Sequence, residues 1–159
     1  MKQLILVDTC NLLHGMPTFR SRLHEGMDSF AEQLMDQLRP LHDLEHWELH
    51  LVVDGKGPRL DQQFVDDLRT LSIIFSADDQ SADTVIESWL MRLGPGWTVR
   101  VVSNDRAIIH SAIAQGAEHL SPEALFQWID RIQKRFSQQQ LTKLKKSSSD
   151  FGNQLEGYL

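Results

Sequence analysis

The chain has 159 residues, 41% of them hydrophobic and 24% charged, with a single cysteine and a formal charge of −6. That length and balance fit one domain with an ordinary core, and they exclude an internal disulfide framework or an apolar run long enough to span a membrane. The charge is uneven: residues 1–130 hold 10 Lys/Arg against 20 Asp/Glu, whereas residues 131–159 hold 6 against 2.

Only four consecutive apolar residues, Leu4-Ile5-Leu6-Val7, precede Asp8, so no secretory leader is expected and a cytosolic setting is. A short, wholly apolar run ending in an acid is the form of a buried parallel strand that delivers a carboxylate to the sheet rim. The spacing predicts strands at 3–7, 49–53, 72–76 and 98–103, with a short one near 117–120. It predicts helices at 28–42, 60–70, 81–93 and 105–114, and another beginning at Pro122. Residues 14–27 scan as neither, and the connection from Asp8 reads as a long loop containing Phe19, Arg20 and Arg22. Ser81 is a candidate N-cap, and Gly94-Pro95-Gly96 stops its helix. After Phe136 the composition turns to Gln, Lys and Ser, giving a domain over 1–136 and a polar, basic tail over 137–159. The alternation implies an α/β fold, a mainly parallel sheet of four or five strands covered by helices, with the first strand central.

Strand grammar repeats in Leu51-Val52-Val53-Asp54-Gly55 and Val101-Val102-Ser103-Asn104-Asp105, and Asp83 follows at a helix start. In open α/β sheets ligands bind outside the carboxyl ends of strands. Two carboxylates about 4 Å apart repel by roughly 4 kcal/mol at an effective dielectric near 20, so a cluster needs a cation or shared protons. All-oxygen donors suit Mg²⁺ or Mn²⁺, which can polarise a phosphodiester. Asp8, Asp83 and Asp105 are the expected metal ligands, with Asp54 a fourth catalytic acid. Each also has a plainer reading: Asp8 caps a loop, Asp105 caps a helix, Asp83 answers a helix dipole, and Asp54 opens a turn. Asn11, Ser103, Arg20, Arg22, Lys56, Arg59 and Arg106 are candidate substrate contacts, the cations for phosphate. The four tryptophans read as core or helix-face residues, and the oligomeric state is not legible.

Together these motifs resemble the NYN domains, a branch of the PIN-like metal-dependent nucleases. Val7-Asp8-Thr9-Cys10-Asn11-Leu12-Leu13-His14 resembles the opening "V-D-G-Y-N-hydrophobic-hydrophobic-H", and Val53-Asp54-Gly55 matches the second-strand acid. Ser81-Ala82-Asp83-Thr84-Val85-Ile86-Glu87 is similar to the "T-A-D-S-hydrophobic-I-E" helix start of the YacP-like group, and Ser103-Asn104-Asp105 to its "T-S-D". The resemblance implies a PIN-like, Rossmann-like α/β/α sandwich, a Mg²⁺ or Mn²⁺ site on the aspartates, and endoribonuclease action on messenger RNA at ribosomes. The chain departs at Thr9 and Cys10, positions that the resemblance places against substrate. The rival from another class is a non-catalytic PIN-like module that binds RNA or the ribosome. A phosphate-loop NTPase is excluded, because no G-x-x-x-x-G-K-[ST] occurs.

Overall fold

Leu4, Ile5, Leu6 and Val7 are all fully buried, because β1 (Lys2–Asp8) runs through the middle of the sheet with helices on both faces. The computed structural model describes residues 1–15 and 25–156, with side chains to residue 150. Arg20 and Arg22 fall outside the described residues. In chain order the other elements are α1 (Thr9–Gly15), α2 (Met27–Asp43), β2 (Glu48–Val53), β3 (Asp61–Phe64) and β4 (Leu71–Phe75). Then come α3 (Ala82–Arg92), β5 (Trp97–Val102), α4 (Arg106–Ala114), β6 (Glu118–Leu120) and α5 (Pro122–Glu156).

The strands form one sheet in the order β3-β4-β2-β1-β5-β6, parallel except for β3. Period-two alternation in β1 splits its side chains between two cores. Ile5 and Val7 face α1, α2 and α5, among them Leu12, Phe30, Leu34, Leu38, Leu125 and Ile129. Leu4 and Leu6 face α3 and α4, against Val85, Ile86, Leu90, Ile108 and Ala112. The result is a three-layer α/β/α sandwich. Each buried aliphatic side chain contributes about 1.5–3 kcal/mol, so a charge at Leu6 would break both the strand and the face it covers.

The sheet has six strands where four or five were expected, because 61–64 is a strand and not part of a helix. Four residues are too few for periodicity to separate the two. Pairing decides it: β3 runs antiparallel along β4, Gln62 donates to Ser72 Oγ at 3.0 Å, and β4 is spared an open edge. Asp66 closes the return by accepting the amides of Thr70 and Leu71 at 2.9 and 3.0 Å.

Two more segments differ from expectation. Residues 9–15, read as loop, form α1, held by the buried pair Leu12 and Leu13. At the other end α5 continues as helix through Glu156 instead of fraying near Phe136. No Gly or Pro interrupts residues 123–151, and Gln, Lys and Leu are good helix formers. Burial nevertheless stops at Ile132, and residues 133–150 are all exposed. No helix among the described residues is long and apolar enough to cross a membrane.

Candidate active site

Because β1, β2 and β5 are parallel and adjacent, their carboxyl ends share one rim. Asp8 is the last residue of β1, Asp54 follows β2, and Asp105 follows β5 by way of Ser103 and Asn104. Asp83 stands in the first turn of α3, which begins beside them. The four predicted acids therefore lie along one rim, close enough to act on one another by charge. Each feels at least one of the others: the charges of Asp83 and Asp54 act on Asp8, and those of Asp105, Asp54 and Glu87 act on Asp83.

The plainer readings of these acids also hold, and they explain how the cluster is tolerated. Asp8 Oδ1 accepts the Asn11 amide of α1 at 3.4 Å, and Asp54 Oδ1 accepts the Ala82 amide of α3 at 2.8 Å. Asp105 is the N-cap of α4, accepting the Ala107 amide at 2.8 Å. Three helix N-termini thus converge on the rim, each with a carboxylate on its otherwise unsatisfied donors. Their dipoles offset part of the repulsion between the acids. Asp83 itself lies in the first turn behind its cap Ser81, whose Oγ accepts the Thr84 amide at 3.3 Å.

Asp8 is the acid least reached by water, at 4% exposure. Burial, chiefly, pushes its carboxyl up from 3.8 to about 6, opposed by hydrogen bonds from Ser103 and Asn11 and reinforced by the charges of Asp83 and Asp54. Asp83 is raised too, by burial first and then by Asp105 and Asp54.

Ser103, expected as a substrate contact, is fully buried and has its hydroxyl engaged by the acids. Its hydroxyl donates to Asp8 Oδ2 at 3.0 Å while its oxygen accepts the Asp105 amide at 3.0 Å. One side chain thereby ties the acids of β1 and β5. Asn11 has a comparable part at the surface, its Oδ1 accepting the Asn104 amide at 2.8 Å. Thr9 is also fully buried and does not reach substrate, while Cys10 is half-buried against Asp54. Burial first, then the charges of Asp54 and Asp8, push the Cys10 thiol up to about 11. It is a packing group among anions, and no nucleophile. Lys56, Arg59 and Arg106 are exposed on the rim-side segments that follow β2 and β5.

Several supporting residues were missed in sequence. Ser76, buried after β4, accepts the Gly55 amide at 3.1 Å and donates to the Gln80 carbonyl at 3.0 Å, fastening the Asp54 loop to the start of α3. Its place one residue past an apolar strand was the available signal. Gly55 must be glycine here, since a Cβ would lie 2.0 Å from the Ser76 carbonyl oxygen. His119 Nε2 lies 2.6 Å from the Ser103 carbonyl oxygen, so that nitrogen carries the proton; nothing in the sequence pointed to it. A second polar chain, Gln62 to Ser72 to His50 to Glu48, has the order of a nucleophile–base–acid array. Ser72 and His50 are fully buried, which bars substrate and makes the chain structural.

An all-oxygen donor set beside a carboxyl that holds its proton too tightly is what a hard divalent ion relieves. Among the described residues, however, no three His, Cys, Asp or Glu side chains stand as a ready-made ligand cluster. The rim fits Mg²⁺ or Mn²⁺ only as an ion that keeps several of its own waters.

The family description "YacP-like NYN domain" matches residues 5–158, and the chain belongs to that family. Among solved structures, Rae1 (YacP) from Bacillus subtilis superposes with a TM-score of 0.70 at 18% identity, over 92% of this chain and 84% of that one. A tryptophan-to-leucine variant of the same protein gives 0.72 at 18% identity, over 90% and 85%. No curated protein matches the chain.

Proposed function

We propose that this YacP-like NYN domain is a Mg²⁺- or Mn²⁺-dependent endoribonuclease that hydrolyses RNA phosphodiester bonds in the cytosol. Messenger RNA on ribosomes is the proposed setting. The observation that carries the reading is the Asp8 carboxyl, buried at the end of the central strand, held by Ser103, and raised to about 6 among other acids. Negative charge that three helix N-termini offset only in part, around a buried acid, is costly for a binding surface. It serves a site that receives a cation and then a phosphate.

In this reading Asp8, Asp83 and Asp105 would hold the ion, which would supply Lewis-acid polarisation of the scissile phosphate. Asp54 stays on the α3 amide and sets the field across the rim. Ser103 and Asn11 keep the acids aimed, and Lys56, Arg59 and Arg106 take the flanking phosphates. Two observations favour the non-catalytic alternative, an RNA- or ribosome-binding module: the acids do not gather into a ligand cluster among the described residues, and three of them are engaged by backbone amides.

The deciding experiment is cleavage of single-stranded RNA by the full chain with and without Mn²⁺. Cleavage should require the ion, and Asp8→Asn, Asp83→Asn or Asp105→Asn should each lower kcat by roughly 10²–10³, the usual value of an electrostatic group at a reacting centre. Undiminished turnover in Asp8→Asn, or metal-independent cleavage, sinks the nuclease reading.

A further inference from the structure

The exposed half of α5 is charged opposite to the body that carries it. Residues 133–156 hold Lys134, Arg135, Lys143, Lys145 and Lys146 against Asp150 and Glu156, while the rest of the chain is strongly acidic. Two of these cations are engaged: Lys134 with Asp130 at 2.9 Å and Arg135 with Glu45 at 2.6 Å. Lys143, Lys145 and Lys146 make no ion pair among the described residues. They sit too far from Glu156 to be explained as last-turn cations answering the helix dipole. At 3.6 residues per turn, Arg131, Lys134, Arg135, Lys143, Lys145 and Lys146 fall within about half of the circumference, with Phe136, Leu141 and Leu144 outside it.

Where this helix goes matters as much as its charge. It starts at Pro122, directly after the carboxyl end of β6, and so leaves from the acidic rim. It then descends along α2, and Arg135 reaches Glu45, which lies just before the amino end of β2. The projecting part therefore emerges from the edge of the sheet opposite the acids. By the 1.5 Å rise, Lys145 lies about 35 Å along the helix from Pro122.

We infer that the projecting half of α5 is a docking arm for the phosphate backbone of folded RNA, at a second site remote from the acidic rim. This rests on the RNA reading of the rim and adds the kind of substrate: one large enough to touch both places. About 35 Å is one turn of a nucleic-acid duplex, so a short oligonucleotide at the rim does not reach the arm. A lipid surface fits less well, because Gln138 to Gln140 and Ser147 to Ser149 interrupt any continuous apolar face. A helix segment tied to the body only at its base, by Arg135 on Glu45, is marginal alone, and a polyanion that neutralises its lysines would hold it.

The test uses the full chain, wild type and Lys143→Gln/Lys145→Gln/Lys146→Gln, binding a single-stranded hexamer and a hairpin with a stem of about 20 base pairs. EDTA is present so that binding is read without cleavage, and circular dichroism checks that the helix is kept. The triple variant should bind the hairpin at least tenfold more weakly at 100 mM salt. Three lost phosphate contacts should reduce its log–log salt slope by roughly 2.7 on duplex. Hexamer affinity should stay unchanged, whereas Lys56→Gln/Arg59→Gln should weaken both probes. Unchanged hairpin affinity and slope in the triple variant overturns the arm, and so does an equal loss for the hexamer. Arm-dependent binding to phosphatidylglycerol vesicles without arm-dependent hairpin binding also overturns it. A chain that binds the hairpin through these lysines yet never cleaves RNA leaves the arm standing and removes the nuclease instead.

Discussion

Like charges gather at both ends of this molecule and are held in opposite ways. At the rim, carboxylates from the ends of β1, β2 and β5 and from α3 stand within reach of one another's charges, and the backbone fixes three of them: Asn11, Ala82 and Ala107 each donate an amide, and Ser103 joins Asp8 to Asp105. On the far half of α5, lysines repel one another in water with only their helix to place them. Water screens that second cluster, so it costs little and specifies little. At the rim Asp8 is buried while Asp83 and Asp105 are half-buried and Asp54 is exposed, so it is the Asp8 carboxylate that water screens least, and backbone amides fix the geometry around it at a cost in stability. One end is held by hydrogen bonds between separate elements. The other is a charged surface held by its own helix.

Removing the rim's cost should have the largest effect. Asp8 holds a proton to about pH 6, against 3.8 for an ordinary aspartate, so the folded state binds that proton more tightly than the unfolded chain. The associated stabilisation is complete below about pH 4 and is lost as pH rises through 6. Asp8→Asn should therefore stabilise the metal-free protein above pH 7 by at most about 3 kcal/mol, the equivalent of the shift. The gain should shrink between pH 6 and pH 4. Denaturant titrations across that range give the answer, and equal pH dependence in both proteins would remove the claim that burying the Asp8 carboxylate costs the fold stability.

A smaller loss tests whether the rim geometry is prebuilt. Gly55→Ala drives a Cβ into the Ser76 carbonyl and should cost about 2 kcal/mol, typical of overpacking. It should also impair Mn²⁺-dependent cleavage, because the Asp54 loop must shift. A melt and an activity assay on one preparation suffice, and an unperturbed melting temperature would show that the loop yields freely. Ser103→Ala comes next, at about 1–2 kcal/mol for the buried Asp8 carboxylate and the half-buried Asp105 amide left without their partner. Because the Ser103 hydrogen bond holds the Asp8 carboxyl down, its loss should move the pH-dependent transition above 6. A transition left at 6 would mean that the bridge has no electrostatic role.

Much of the rim was readable because burial is a local pattern. Leu4 to Val7 and Leu51 to Val53 are apolar on both faces, which only a covered parallel strand requires, and an acid after such a run must emerge at the rim. Asp83 and its cap Ser81 were readable for the same reason, since a helix start is written within four residues. The four residues of β3 carry too little periodicity to be told from a helix turn. They became a strand only because β4 offered an unpaired edge.

The sequence by itself determined which residues carry acid to the sheet edge, and that the chain past Ile132 is basic and rich in helix formers. Those properties reside in adjacent residues and survive any arrangement of the rest. Tertiary structure alone decided that Ser103 faces inward to join Asp8 to Asp105, that Ser76 and Gly55 fasten the Asp54 loop, and that His119 supports the Ser103 carbonyl. Each of those contacts joins separate elements, and strand order and register bring them together. The same holds for the basic helix: its charge is local, but its departure from the edge opposite the acids follows from β6 ending at the rim and α5 running back across the sheet.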